Sequence, residues 1–154
     1  MGIREQLIGT YRLYDWKIVD GDKLLDATLG PMEGCHGLLI YTEDGYMSVW
    51  LSKKERPEFA SRAIDGGTEE EKLQAYDSFH GYAGKYVVNE EEGTVTHYPL
   101  IAAFPNVIDK ALTKKLVFHE DTVKLLDTNI KFEGPNAGRH SYVMWQKIVK
   151  EDRS

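Results

Sequence analysis

The chain has 154 residues, of which 42% are hydrophobic and 29% charged, and it carries a formal net charge of −6. These values fit one globular domain over residues 1–154, long enough to bury a core. The acidic balance, without any Lys/Arg cluster, excludes nucleic acid as an expected partner, because phosphate backbones are held by clustered cations.

Ile3 to Ile8 reads as a short helical turn. Thr10 to Val19 is aromatic and β-branched and stops at Asp20-Gly21-Asp22, so it reads as a strand followed by a turn. Leu24 to Leu29 is a weaker strand, broken by Gly30-Pro31. Gly37 to Leu51 is the most informative stretch: two apolar and aromatic runs flank a turn ending in Asp44-Gly45, which predicts a β-hairpin. Lys53 to Gly67 is charged, contains Pro57 and reads as a loop. Thr68-Glu69-Glu70-Glu71 is a capping box, and the spacing of Leu73, Tyr76, His80 and Ala83 predicts a helix over Glu69 to Ala83. Three further hairpins follow: Lys85 to Asn89 with Thr94 to Leu100, Lys115 to Phe118 with Thr122 to Asp127, and Asn129 to Phe132 with His140 to Val149.

A meander this long closes on itself to remove unpaired edges. The expected fold is therefore all-β: an antiparallel up-and-down barrel of about eight strands with one inserted helix covering a surface or mouth. A barrel of that size is filled by side chains or holds one small ligand. The opening Met1-Gly2-Ile3-Arg4-Glu5-Gln6 has no apolar signal core, and Gln6 stands where a myristoylation signal needs Ser or Thr. No stretch approaches ~18 apolar residues, so no membrane association is expected. The single Cys35 fits a reducing compartment, and the expected location is cytoplasmic.

The segments Leu7-Ile8-Gly9-Thr10-Tyr11-Arg12-Leu13, Gly37 to Ser48, Tyr82-Ala83-Gly84-Lys85-Tyr86, Gly93-Thr94-Val95-Thr96-His97, Phe104-Pro105-Asn106 and Val143-Met144-Trp145 together resemble a bacterial and fungal family of lipocalin-like domains. Two departures from the lipocalin pattern stand out. Gly9-Thr10-Tyr11 replaces the usual Gly-x-Trp, and Lys147 stands where a cation of the last strand, often Arg, packs on that Trp. Lys147 over Tyr11 would close the barrel floor by a cation–π contact. The resemblance implies a ligand-holding barrel and assigns no reaction.

Strand alternation gives an inward set. Val95 takes His97 with it. Val123 and Leu125 take Asp127 and Asn129. Val143 and Trp145 take Ser141, Arg139 and Lys147, and Tyr11 with Leu13 takes Asp15. In the 37–51 hairpin both faces are apolar, and parity leaves Tyr41, Tyr46, Ser48 and Trp50 open against Leu38, Ile40, Met47 and Val49. The candidate site follows. His97 would be a general acid or base oriented by Asp127, since an imidazole titrates near neutrality. Tyr41, Tyr46, Ser48, Trp50, Asn129, Arg139 and Ser141 would contact the ligand. The alternative reading makes His97 a hydrogen-bonded wall residue and sends Arg139 to solvent.

The five histidines and Cys35 show no metal-ligand spacing, so no metal is expected. There is no Gly-x-Ser-x-Gly, phosphate loop or Gly-x-Gly-x-x-Gly, and no cofactor is expected. The expected function is binding of one small, largely apolar molecule of polyketide or terpenoid type. In its catalytic form it is a cofactor-independent isomerase or cyclase of natural-product biosynthesis, working by acid–base and conformational control. The alternative is a non-catalytic carrier or sensor. A homodimer is compatible with the chain.

Overall fold

The computed structural model describes residues 1–128 and 133–149. In chain order these form α1 (Ile3–Leu7), β1 (Gly9–Asp20), β2 (Lys23–Asp26), β3 (Cys35–Tyr41), β4 (Tyr46–Lys53), α2 (Glu69–Asp77), β5 (Phe79–Asn89), β6 (Thr94–Ala102), β7 (Leu112–His119), β8 (Thr122–Asp127) and β9 (His140–Lys147). The strands run β1-β3-β4-β5-β6-β7-β8-β9, all antiparallel, and β9 returns to β1, so eight strands close into a barrel. The short β2 pairs with the far half of β1, where β3 has already left it.

One end of the barrel is shut. The short helix α1 leads into β1 and buries Leu7 completely. Its first amides, Ile3 N and Arg4 N, donate to the Glu90 carboxylate at 2.7 and 2.9 Å, which ties the helix to the β5–β6 turn. Tyr11 is 2% exposed and its hydroxyl donates to the Leu7 carbonyl at 2.7 Å. The Lys147 ammonium lies over the Tyr11 ring and donates to the Gln6 carbonyl at 2.8 Å, and Trp145 is buried beside them in the core. This end also holds the tight turns between β3 and β4, β5 and β6, and β7 and β8, whereas the long connections 27–34, 54–78 and 103–111 all lie at the other end.

Three sequence expectations change. The helix after the capping box stops at Asp77, and Phe79 starts β5. The box itself forms, with Glu71 N donating to Thr68 Oγ1 and Thr68 N to Glu71 Oε1. No residue of α2 is buried, and Leu73 and Tyr76 are exposed, so no apolar side chain of the helix packs into the barrel; Arg56 links it instead, donating to the Ala75 carbonyl and lying over the Phe79 ring. From Phe79 the chain instead pairs with β4, Ser52 opposite Phe79, and turns His80, Tyr82 and Tyr86 inward. Tertiary pairing and burial outweigh the local helical spacing.

Second, Asp15 does not follow Tyr11 and Leu13 inward. A bulge in β1 between Leu13 and Asp15 shifts the alternation, and Trp16 and Ile18 are buried instead. Asp15 accepts from the Tyr142 hydroxyl at 3.0 Å.

Third, the 37–51 hairpin divides its residues differently from either expected set. Its turn is four residues, Thr42 to Gly45, with Gly45 at φ +96°, a conformation that a glycine adopts freely. Tyr41 therefore opposes Met47, and Leu39 opposes Val49. Tyr41, Leu39, Met47, Val49 and Leu51 are buried, while Leu38, Tyr46 and Trp50 lie on the outer face.

Candidate functional site

Above the shut end the barrel encloses a cavity of about 600 Å³. Its walls are mostly apolar: Trp16 and Ile18 of β1, Leu39 of β3, Val49 and Leu51 of β4, Leu112 of β7, Leu125 of β8, and Val143 and Trp145 of β9. Thr28, Phe104, Asn106, Glu133 and Asn136 stand at its mouth, among the long connections. The volume lies in the range of sites that bury a whole small organic molecule.

The polar part of the wall is concentrated on β5 to β9. His97, 1% exposed, is set on β6 opposite Tyr86. The Tyr41 hydroxyl is 2.6 Å from its Nε2, and the Tyr82 hydroxyl is 2.7 Å from its Nδ1. Three strands, β3, β5 and β6, thus converge on one imidazole. Burial, reinforced by the Lys114 ammonium, holds His97 well below its ordinary value of 6.5, so the ring is neutral. Burial likewise lifts both phenols far above 10, with the Asp127 carboxylate adding to the effect at Tyr82 and neighbouring tyrosines adding to it at Tyr41. The trio is a chain of uncharged hydrogen-bonding groups whose mutual bonds fix the orientation of the imidazole and of both hydroxyls.

Beside it, Lys114 and Asp127 stand opposite each other on β7 and β8 and form a close ion pair with little exposure on either side chain. Ser141 donates to the second Asp127 oxygen at 2.7 Å. The carboxylate is therefore neutralised and hydrogen-bonded, as a buried charge must be. His80 completes this wall, its pKa lowered by burial and further by Lys114, against the opposing pull of Asp127.

His97 and Asp127 both line the cavity, but they do not pair: the partners of His97 are tyrosines, and those of Asp127 are Lys114 and Ser141. The expected His97–Asp127 dyad is corrected accordingly. Two carboxylate-binding groups on the adjacent strands reach Asp127 first.

Ser141 lines the cavity, whereas Tyr41 stands behind His97, off the cavity wall. Tyr46, Ser48 and Trp50 are on the outer face. Lys85 lies over the Tyr46 ring, and Trp50 stacks on Phe79 while its Nε1 donates to Ser48 Oγ at 2.9 Å. Arg139 is outside the cavity too. It precedes β9 and pairs with Asp20 at 3.2 Å and with Asn136 Oδ1 at 3.1 Å, because strand alternation does not extend beyond His140. Asn129 lies outside the described residues.

Sequence reading missed Tyr82, Lys114 and His80 as wall residues. Tyr82 and His80 were absorbed into the extended helix, although the alternation His80, Tyr82, Gly84, Tyr86 was there to be read. Lys114 lay one residue before the predicted start of its strand.

Among the described residues, no group of three or more His, Cys, Asp or Glu side chains is placed to hold a metal ion, and no helix is long and apolar enough to cross a membrane. No curated protein and no solved structure matches the chain. The sequence profile of the lipocalin-like domain matches residues 8–148, from the strand that opens the barrel to the one that closes it, and with this span and this closed antiparallel architecture the chain belongs to the lipocalin-like domain family.

Proposed function

We propose that the protein binds one small, largely apolar molecule in the barrel cavity, oriented by the polar wall around Tyr82 and His97. The observation that carries this reading is the 600 Å³ cavity itself, apolar on most of its wall and polar on one side. Burial of an apolar body supplies affinity, and a few fixed polar groups supply orientation. In this reading the protein acts as a carrier or sensor for that molecule.

Native mass spectrometry of the purified protein tests it. The expected result is an adduct of one small organic molecule per chain, or, for protein that emerges empty, one-to-one uptake of a neutral hydrophobic dye. Protein that carries nothing and takes up no such dye would overturn the reading.

A second, catalytic reading is favoured by the Tyr41–His97–Tyr82 chain. A cofactor-independent isomerase or cyclase needs a fixed substrate conformer and one group that can lend and recover a proton. Confinement supplies the first, and conformer selection removes several kcal/mol from a barrier. For the second, the hydroxyl of Tyr82, hydrogen-bonded to the neutral His97, would share its proton with a substrate oxygen as a hydrogen bond while the substrate itself keeps the net charge at zero. In a cyclase or isomerase His97→Ala lowers turnover by ~10²-fold or more, whereas in a carrier it weakens binding only modestly. A neutral polyketide or terpenoid would fit either reading, and the protein would need no cofactor.

A further inference from the structure

Hydrogen-bond accounting around His97 goes further than the distances alone. Tyr41 is 1% exposed, does not reach the cavity, and has His97 as the one side-chain partner of its hydroxyl among the described residues. A buried hydroxyl donates its proton wherever an acceptor is in reach. Tyr41 must therefore donate to Nε2, and Nε2 carries no proton. The ring proton then sits on Nδ1, and Nδ1–H donates to the Tyr82 oxygen 2.7 Å away. Tyr82 has accepted, so its own O–H proton is unused, and Tyr82 is on the cavity wall. The reverse tautomer would satisfy Tyr82 and strand the Tyr41 proton in the core, which costs more than leaving a donor beside a ligand site.

Building on the pocket reading above, we propose that the Tyr82 hydroxyl is the donor that receives a neutral, carbonyl-type oxygen of the bound molecule, with Tyr41 and His97 as positioning residues that fix the direction of its proton. The ligand class this selects is an uncharged ketone, ester, lactone or amide with an apolar body. An anion is disfavoured, because the Lys114 ammonium on this wall is already matched by Asp127, and a second carboxylate would face the first. A ligand cation beside Tyr82 would find Asp127 already matched by Lys114 and Ser141, while Glu133 stands apart at the mouth.

The test uses a matched neutral pair, cyclododecanone and cyclododecane, each displacing N-phenyl-1-naphthylamine from the full-length protein. In Tyr82→Phe the affinity ratio of ketone to alkane should fall by ~2–10-fold relative to the wild type, the scale of one hydrogen bond. A second reading needs no variant. The carbonyl stretch of wild-type-bound cyclododecanone should lie below its value in hexane, and should return towards it in Tyr82→Phe. An unchanged ratio, or a wild-type stretch at the hexane value, overturns the assignment of Tyr82 while leaving the pocket in place. Failure of the wild type to bind dye, ketone and alkane alike overturns the pocket reading and this inference with it.

Discussion

The Lys147 ammonium stands 5.5 Å from the centre of the Tyr11 ring and hydrogen-bonds to the Gln6 carbonyl, so one cation joins the last strand, the first strand and the helix before it. Tyr11 in turn donates to Leu7, the last residue of that helix. Replacing Tyr11 by Ala removes the ring, the cation–π contact and a buried hydrogen bond together. The expected loss is ~3–5 kcal/mol, the range for a deleted core aromatic. Chemical denaturation measures it, and a loss under about 1 kcal/mol would contradict the floor described here.

The buried histidines set an acid limit. His97 and His80 both titrate below the ordinary 6.5 in the folded protein, chiefly through burial and then through Lys114. Between that folded value and 6.5 the unfolded chain binds more protons than the folded one, so stability falls as pH drops below 6.5 and is flat in this respect above it. Each group contributes a slope of up to about 1.4 kcal/mol per pH unit in that window. Urea midpoints measured from pH 7.5 to 5 should show the decline, and His97→Gln should make it shallower, leaving the His80 share. An equal slope in both proteins would remove His97 from the account.

The Lys114–Asp127 pair should behave asymmetrically in a double-mutant cycle. Lys114→Met leaves a buried carboxylate with only Ser141 to stabilise it, at a cost of ~3–5 kcal/mol. Removing both charges in Lys114→Met/Asp127→Leu should recover much of that loss. Additive losses in the double variant would show that the pair is better solvated than its burial indicates.

Gly84 sits opposite the β6 bulge at Leu100, where a Cβ would collide with the Tyr98 carbonyl and the Leu100 amide across the ladder. Gly84→Ala should destabilise by ~1–3 kcal/mol, because those are backbone atoms that cannot step aside. Thermal unfolding reports this directly.

Arg139→Ala provides the contrasting case. Its partners are the mouth residues Asp20 and Asn136, and an exposed ion pair of this kind is worth ~0–1 kcal/mol. Stability and dye affinity should both stay near wild type. A large loss of affinity would bring Arg139 back into the site.

Three of the hairpins and the closed meander were legible because period-2 alternation and turn residues are local signals, whereas the Asn129 to Phe132 arm of the fourth lies outside the described residues. The direction of His97 follows from the same rule, since Val95 two residues earlier is core. Alternation fails where one residue resets it. The bulge near Tyr14 does so in β1, and the four-residue turn does so between Tyr41 and Met47. It also fails where two periods coincide: Leu73, Tyr76, His80 and Ala83 fit a helix as well as they fit a helix followed by a strand. The Tyr41–His97–Tyr82 chain was out of reach for a different reason. Its members come from three strands, and which side chains meet across a barrel depends on closure and stagger, which no single segment encodes.

The glutamate clamp on α1 and the turns beside it give the barrel a gradient of opening free energy along its axis. At the shut end, separating α1 means breaking bonds to Glu90 and Lys147 and drawing Leu7 out of the core, so opening there costs more than at the rim. Around the mouth the connecting segments have few ladder partners, and they can part at a fraction of that free energy. Under the pocket reading proposed above, a guest would exchange through the rim, its residence time would be set there and not by fold stability, and substitutions in the rim would retune exchange without loosening the stem.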